Sequence, residues 1–223
     1  MSAYVRPMRR EDTEQAAGID REAFPSEWPP PNFKSELQNR LAHYLVACDA
    51  EKPADEPELN ELPRKGSARL THQVKRLFGL SNLFGKEPST LPEQHILGFA
   101  GFWIMADEAH ITTIASRKAY RRQGIGELLL LSIIERASKL RAHIVTLEVR
   151  ASNIAAQSLY YKYGFDQVGV RRGYYMDNKE DAIIMSTKDI SSSPFQERLR
   201  RLKQAHSNKW GTVNSQDGNQ RAA

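Results

Sequence analysis

The chain has 223 residues, of which 40% are hydrophobic and 26% charged, so it can bury one sizeable core with room for an appendage. A single cysteine excludes an internal disulfide, and without a cysteine and histidine cluster we expect no metal and a reducing cytoplasm. The longest apolar runs fall far short of the roughly 20 residues that span a bilayer, and early charges argue against a secretory signal.

The net charge of +5 is unevenly distributed along the chain. After residue 190 the sequence has six basic residues against two acidic ones, which leaves the rest close to neutral. The sequence therefore predicts a basic tail rather than a nucleic-acid-binding core.

The first 50 residues predict two strands and two helices. Asp12 or Thr13 is a suitable N-cap for the first helix, and Cys48 is expected to be a buried strand residue. A proline-rich break separates the two helices. The predicted elements are a strand over residues 3 to 6, a helix over 11 to 23, a helix near 32 to 40 and a strand over 43 to 49.

Residues 51 to 94 differ in composition from the segments around them. They contain five prolines and many charges but few large apolar residues, so we expect a mostly flexible insertion between two strands. Within it, residues 70 to 84 could form a short amphipathic helix that docks on the body, a partner or a membrane surface, or a locally collapsed loop.

The second half predicts alternating strands and helices. The long helix after a glycine-rich turn is apolar almost all round, which indicates packing on a sheet. Ser152 is the expected cap of the next helix, and Gly164 its C′ residue. The predicted elements are strands over 96 to 107 and 108 to 116, a helix ending at 140, a strand over 143 to 150, a helix ending at 163, and strands over 165 to 172 and 182 to 187. In the tail, a short basic helix near 195 to 205 is compatible with the sequence, and the rest is expected to be disordered.

The glycine-rich turn is the most informative motif. Residues 120 to 126 read Y-R-R-Q-G-I-G, with an apolar helix following directly. Glycines let the backbone turn tightly and approach an anion, and the helix start presents unpaired N–H groups and a positive dipole end. The segment therefore suits a pyrophosphate, although the same spacing also occurs in plain tight turns.

Further segments follow this turn in a characteristic order. They read T-L-E-V-R-A-S-N at 146 to 153, L-Y at 159 to 160, Y-G-F at 163 to 165, R-R-G-Y-Y at 171 to 175 and E-D-A-I-I-M at 180 to 185. This order resembles the GNAT superfamily of acetyl-CoA-dependent N-acetyltransferases, within it the RimI-type ribosomal-protein-alanine N-acetyltransferases. The resemblance covers residues 108 to 187 strongly and 3 to 50 loosely.

The resemblance implies an α/β (α+β) GNAT fold. Its sheet would be mixed but mostly antiparallel, with helices on both faces and a splayed central strand pair. Residues 1 to 189 would form the acetyltransferase domain, interrupted by the insertion, and residues 190 to 223 a basic, disordered tail.

The resemblance also implies where acetyl-CoA binds. The pantetheine arm would pair with the backbone in the cleft between the splayed strands, and the diphosphate would lie on the amides of the glycine-rich turn. Asn153 would contact the coenzyme arm, or simply serve the helix start. The implied coenzyme-binding residues are Ile114, Ala115, Ser116, Arg121, Arg122, Gln123, Gly124, Ile125, Gly126, Glu127 and Asn153.

Two positions depart from the family pattern. Relatives usually carry a D-P-x-Y turn where this chain has R-K-A-Y at 117 to 120. Glu127 places a carboxylate at a phosphate-binding helix start, which is locally unfavourable. We expect Glu127 to turn its side chain away and to offer only its N–H.

By resemblance, Glu148 is the general base and Tyr160 the general acid for attack on the thioester. Strand alternation puts Glu148 on the face opposite Val145, Leu147 and Val149. Taken singly, Glu148 could be a solvated strand carboxylate and Tyr160 a core aromatic, but their occurrence together beside the glycine motif favours the catalytic interpretation.

The acceptor end of the cleft is implied to contain Phe24, Pro25, Tyr174 and Tyr175, which could also belong to an ordinary aromatic hairpin loop. Peptide α-amines titrate near 7.7 to 8.0 and lysine near 10.4, so far more α-amine than lysine is neutral at pH 7. We therefore expect acetylation of a protein N-terminus, by resemblance the N-terminal alanine of the eighteenth protein of the small ribosomal subunit.

Two alternatives remain open from the sequence. The acceptor could be a lysine side chain or a small amine. The chain could also be a non-catalytic module that docks on the ribosome or RNA through its basic tail.

Overall fold

The computed structural model describes residues 2–24, 31–53 and 94–211. The predicted amphipathic segment over 70 to 84 lies outside them. In the described part, no helix combines the length and the apolar character needed to cross a bilayer. The strands are β1 (Ala3–Pro7), β2 (Ala42–Pro53), β3 (Gln94–Met105), β4 (Glu108–Ser116), β5 (Ile144–Arg150), β6 (Phe165–Arg171) and β7 (Ala182–Thr187). The helices are α1 (Thr13–Ala23), α2 (Phe33–Glu36), α3 (Ile125–Lys139), α4 (Ile154–Lys162) and α5 (Ser193–Trp210).

The seven strands form one sheet in the order β1-β2-β3-β4-β5-β7-β6. Only the β4–β5 pair is parallel, and the other neighbours are antiparallel. Their pairing runs from Glu108 opposite Ile144 to Ile111 opposite Leu147 and goes no further, although both strands continue. This confirms the predicted fold class, including the splayed central pair.

Helices cover both faces of the sheet. The apolar side chains of α3, among them Leu129 and Ile133, are fully buried against one face together with Ala109 and Ile111 of β4. On the other face, Ile19 of α1 and Phe33 of α2 join a second apolar cluster with Phe99. Strand alternation sends neighbouring side chains into different clusters, so one sheet separates two cores.

The N-terminal helices differ in detail from the prediction. Asp12 takes the N-cap position of α1, but its carboxylate pairs with Arg6 at 2.6 Å and accepts from the Arg9 N–H at 2.6 Å instead of capping α1. Helix α2 has a single turn, capped by Asn32, and is shorter than the predicted helix.

The tail corrects the expectation of disorder. Ser193–Trp210 form an 18-residue helix in which Phe195, Leu199 and His206 are buried. Together with the half-buried Leu202 they recur every three or four residues, which gives a helix one apolar stripe. That spacing is visible in the sequence, but the polar and basic residues around it lower the mean hydropathy and conceal it. The predicted short helix near 195 to 205 is therefore longer than expected, and it packs on the body.

Cys48 lies in β2 and is fully buried, as predicted. Burial raises the pKa of its thiol to about 11, so the thiol stays neutral at physiological pH. A neutral, inaccessible thiol is not a nucleophile, because the thiolate is the reactive form.

Candidate active site

The glycine-rich turn leads directly into α3. A 3-10 turn at Lys118–Tyr120 precedes two left-handed residues, Arg122 at φ 62° and Gly124 at φ 83°. The first intrahelical hydrogen bond runs from the Leu128 N–H to the Gly124 carbonyl at 2.9 Å. The N–H groups of the turn before Leu128 therefore have no carbonyl partner within the helix and can donate to an anion.

The Glu127 side chain is engaged within the protein. Its carboxylate accepts a hydrogen bond from the Tyr163 hydroxyl at 2.7 Å and pairs with Lys162. Burial opposes ionisation, but these hydrogen bonds outweigh it and hold the pKa of Glu127 below its usual value. The negative charge is thus compensated by α4, which leaves the backbone N–H of Glu127 for an anion.

Helix α5 reaches the same turn from outside. The His206 ring nitrogen Nε2 lies 3.0 Å from the Gly124 carbonyl oxygen, and Trp210 lies directly against Gly124. A Cβ at Gly124 would come within 2.7 Å of the Trp210 ring. The turn therefore requires glycine for two reasons, its left-handed backbone and its contact with α5.

The gap between β4 and β5 opens after the last pair, Ile111 and Leu147, and β4 continues from there to the turn. Ile114, Ala115 and Ser116 pair with β3 along one edge of β4, beyond the last β4–β5 pair. Their other edge faces the gap, where backbone groups are available to an extended ligand.

Glu148 lies on β5 just past the last β4–β5 pair, and its side chain is only 8% exposed. The neighbours Val145, Leu147 and Val149 are buried on the opposite face, as alternation predicted. The Glu148 carboxylate contacts the His110 Nε2 at 3.2 Å and the Arg171 guanidinium at 3.1 Å. The structure therefore excludes the alternative of a solvated strand carboxylate.

Tyr160 lies on α4 with its ring 5.6 Å from that of Phe165. Burial, and secondarily the neighbouring Tyr175, raises the pKa of Tyr160, so the phenol keeps its proton. A neutral hydroxyl in such a site can donate a proton to a departing anion.

The β6–β7 loop is held by Arg150. Its guanidinium stacks 3.9 Å from the centre of the Tyr175 ring and pairs with Asp177 at 2.7 Å and Glu180 at 3.2 Å. Burial raises the pKa of Tyr175 to about 12. Tyr174 packs edge-on against Tyr175 at 5.2 Å and is 39% exposed, so the loop presents aromatic surface to solvent.

Phe24 and Pro25 were also predicted at the acceptor end of the cleft. Phe24 follows the end of α1 and is 42% exposed, while Pro25 lies outside the described residues.

Asn153, rather than Ser152, caps α4, because its side-chain oxygen accepts from the Ala156 N–H at 3.2 Å. Its simpler role at the helix start is present, and contact with a coenzyme stays a prediction.

The sequence did not point to His110, which belongs to the cluster around Glu148. His110 also contacts the Thr146 hydroxyl at 2.9 Å, and this hydroxyl is bonded to Glu108. Arg171, the first residue of the R-R-G-Y-Y segment, also belongs to this cluster, because it pairs with Glu148. The one available signal was the position of His110 between the buried residues Ala109 and Ile111, which marks it as facing the other side of the sheet.

Comparison with known proteins agrees with this geometry. Residues 66–165 match the sequence model of the Acetyltransferase (GNAT) family. The chain belongs to this family of acetyltransferases.

Two relatives extend the match over most of the chain. A Bacillus subtilis protein, provisionally named a ribosomal protein bS18-alanine N-acetyltransferase, is 35% identical over 82% of this chain and 93% of its own length. The Mycobacterium tuberculosis N-alpha-acetyltransferase RimI is 30% identical over 80% of this chain and 87% of its own.

A solved structure shows the same fold. The ribosomal-protein-S18-alanine N-acetyltransferase from Escherichia coli superimposes with a TM-score of 0.60 at 25% identity, covering 86% of this chain and 97% of its own.

Proposed function

We propose that this protein transfers the acetyl group of acetyl-CoA to a protein N-terminal amine, and that the acceptor is the N-terminal alanine of ribosomal protein bS18. The reaction would then take place in the cytoplasm. The observation that carries the proposal is the position of the Glu148 carboxylate. Glu148 directly follows the last residue of β5 that pairs with β4, so it is at the point where the two strands separate, and its carboxylate is held there by His110 and Arg171.

In this proposal the coenzyme lies along β4. Its diphosphate accepts hydrogen bonds from the N–H groups of Arg122 through Glu127, with Arg121 as the basic residue that opens the motif, and its arm pairs with the open edge of Ile114, Ala115 and Ser116. The thioester is then directed toward the side of the gap that holds Glu148.

The proposed chemistry is direct attack. Glu148 removes a proton from the incoming ammonium, and the neutral nitrogen attacks the thioester carbonyl. Tyr160 supplies a proton to the departing thiolate, which its raised pKa permits because the hydroxyl is protonated at neutral pH. Tyr174 and Tyr175 would border the peptide, with hydroxyl groups to bond its backbone.

A peptide panel tests the acceptor. Peptides that begin with the bS18 N-terminus, the same peptides with a blocked N-terminus, and peptides with one internal lysine are incubated with acetyl-CoA, and products are located by mass spectrometry. We expect acetylation at the N-terminal alanine only. Faster turnover at internal lysine would overturn the acceptor assignment, and lack of turnover on any peptide would overturn the enzymatic one.

Contact of the basic tail with ribosomal RNA is a separate part of the proposal. Arg200 and Arg201 of α5 have side chains 73% and 70% exposed and share a single carboxylate, Glu197, so net positive charge faces solvent. Truncation at Ile190 cannot test this contact, because Ile190 and Leu199 are buried in the core.

Substitution of both arginines by glutamine tests the contact without disturbing the core. Ribosome binding by the variant should weaken and become less dependent on salt, while turnover of short peptides stays the same. Unchanged salt dependence would reject the electrostatic contact.

A further inference from the structure

A chain of four side chains in polar contact begins at the Glu148 carboxylate. His110 Nε2 is 3.2 Å from Glu148, and His110 Nδ1 is 2.9 Å from the Thr146 hydroxyl. The Thr146 hydroxyl is in turn bonded to Glu108. This chain of side chains crosses between β4 and β5 one position before their pairing ends, because His110 is opposite Thr146.

The protonation of this chain follows from counting donors. The Thr146 hydroxyl has one hydrogen, and the Glu108 carboxylate can only accept, so Thr146 donates to Glu108. The Thr146 oxygen then accepts from His110, which assigns a hydrogen to Nδ1. In a neutral imidazole this leaves Nε2 as an acceptor, facing an oxygen of Glu148 that is also an acceptor.

Two acceptors 3.2 Å apart need a proton between them. His110 and Glu148 can therefore share one proton, and their facing lone pairs repel each other when neither group carries it. Arg171 lies 3.1 Å from the other oxygen of the Glu148 carboxylate, so the carboxylate is held between a guanidinium and the imidazole.

An imidazole is intrinsically a stronger base than a carboxylate. In short unstructured peptides a glutamate titrates near 4.3, a histidine near 6.5 and an α-amine near 7.7 to 8.0. Transfer from an α-ammonium to a glutamate is thus unfavourable by roughly 3000-fold, but to a histidine by only about 20-fold.

We infer that His110 stores the proton that Glu148 takes from the acceptor amine. This inference rests on the proposed function, in which Glu148 is the base. His110 does not touch the substrate, so it is a positioning and proton-storing residue that acts through Glu148.

The step balances as follows. The ammonium gives one proton to Glu148, which passes it to His110 Nε2, so an imidazolium faces a carboxylate that is ionised again. The neutral nitrogen forms its bond to the thioester carbon and the carbon–sulfur bond breaks. Tyr160 protonates the departing thiolate, and the second amine proton replaces the one that Tyr160 gave up. His110 finally releases its proton to water.

The surroundings of His110 contain few other charges. On its own strand and on β5 it faces Glu108, Thr146 and Glu148. On β3 its register partner is Trp103, whose indole N–H donates to Glu36 of α2 at 3.0 Å. Substitution of His110, Glu108 or Glu148 one at a time can therefore show which of these groups is responsible for a pH-dependent change in activity.

The experiment compares pH profiles of kcat at saturating peptide and acetyl-CoA. A histidine titrates about two pH units above a carboxylate in peptides, so the acid limb of His110→Gln should lie at least one pH unit below that of the wild-type protein. At pH 7 the kcat of His110→Gln should be lower than that of the wild-type protein by about tenfold or more. His143→Gln is the matched control, since His143 is exposed and pairs with Asp189 away from this cluster, and it should keep the wild-type profile.

A second variant separates proton storage from packing. His110→Ala should recover activity when free imidazole is added, in proportion to the unprotonated imidazole. A uniform loss of kcat in His110→Gln with an unmoved acid limb, or an absence of imidazole rescue, would overturn the inference.

Failure of the proposed function gives a different result. If Glu148→Gln is as fast as the wild-type protein, the base is wrong and the storage role is rejected with it. If Glu148→Gln is slow while the acid limb of the His110→Gln pH profile lies at the same pH as that of the wild-type protein, only the role of His110 is rejected.

Discussion

The two halves of the site are built in different ways. In the coenzyme half, the proposed diphosphate site is one continuous segment, residues 122 to 127, and it offers backbone amides whose direction is fixed by a helix start. The acceptor half consists of side chains from three strands, with His110, Glu148 and Arg171 far apart in the sequence. A backbone site tolerates variation in most side chains, whereas a side-chain site depends on each member, so substitutions should affect the two halves differently.

The largest effect is expected from Glu148→Gln. The amide keeps the size of the carboxylate but cannot accept the amine proton, so kcat should fall by at least about 100-fold. Affinity for acetyl-CoA, measured by calorimetry, should stay within about threefold because the diphosphate turn is untouched.

The comparison with Tyr160→Phe completes this test. Loss of the hydroxyl should also slow kcat by roughly 100-fold, again without weakening the coenzyme. If either variant lost its coenzyme affinity together with kcat, the separation of the two halves would be wrong.

The second prediction concerns the coenzyme half. Gly124→Ala must hold φ 83°, which costs an L-residue about 1–2 kcal/mol, and its Cβ would press on Trp210. We expect acetyl-CoA to bind about tenfold more weakly and the protein to unfold at lower temperature, while kcat at saturating coenzyme changes little.

Gly126→Ala is the matched control for that turn. A Cβ there has no described atom within 4 Å, and alanine favours the helix, so stability should not fall and coenzyme affinity should stay within about threefold. If both alanine substitutions weakened acetyl-CoA binding equally, glycine would be required because the ligand approaches the backbone closely, and not because of the left-handed turn.

The same contrast explains what could be predicted from the sequence. The glycine turn and the β5 pattern are local, so spacing and strand alternation were enough to predict a turn at Gly124 and the sheet face of Glu148, whereas the splayed strands were predicted from the family resemblance. The partners of Glu148 depend on which strands become neighbours and in what register, and His110 carries no local signal of that. The packing of α5 was missed for a related reason, since its stripe of four residues has meaning only once α3 presents a surface to it.

A smaller effect is expected from Trp210→Ala. The ring supports the diphosphate turn from the side, so its loss should weaken acetyl-CoA binding by about threefold through a less ordered turn, without change in kcat at saturating coenzyme. Asn208→Ala is the control, because Asn208 is exposed on the same helical turn and contacts only Gln204 among the described residues. An equal effect of both substitutions would mean that α5 acts through its overall position rather than through contact with Gly124.

The smallest effect is expected from Lys203→Met on α5. Lys203 pairs with Glu135 of α3, but its side chain is 45% exposed, and surface ion pairs contribute less than about 1 kcal/mol because solvent screens them and ordering costs entropy. Chemical unfolding should therefore show a change in stability below about 1 kcal/mol, and both kcat and coenzyme affinity should be unaltered. A double-mutant cycle with Glu135→Gln isolates the pair itself. A coupling above 2 kcal/mol would mean that charge rather than the buried stripe fastens α5, and the support of the coenzyme half would then weaken with salt.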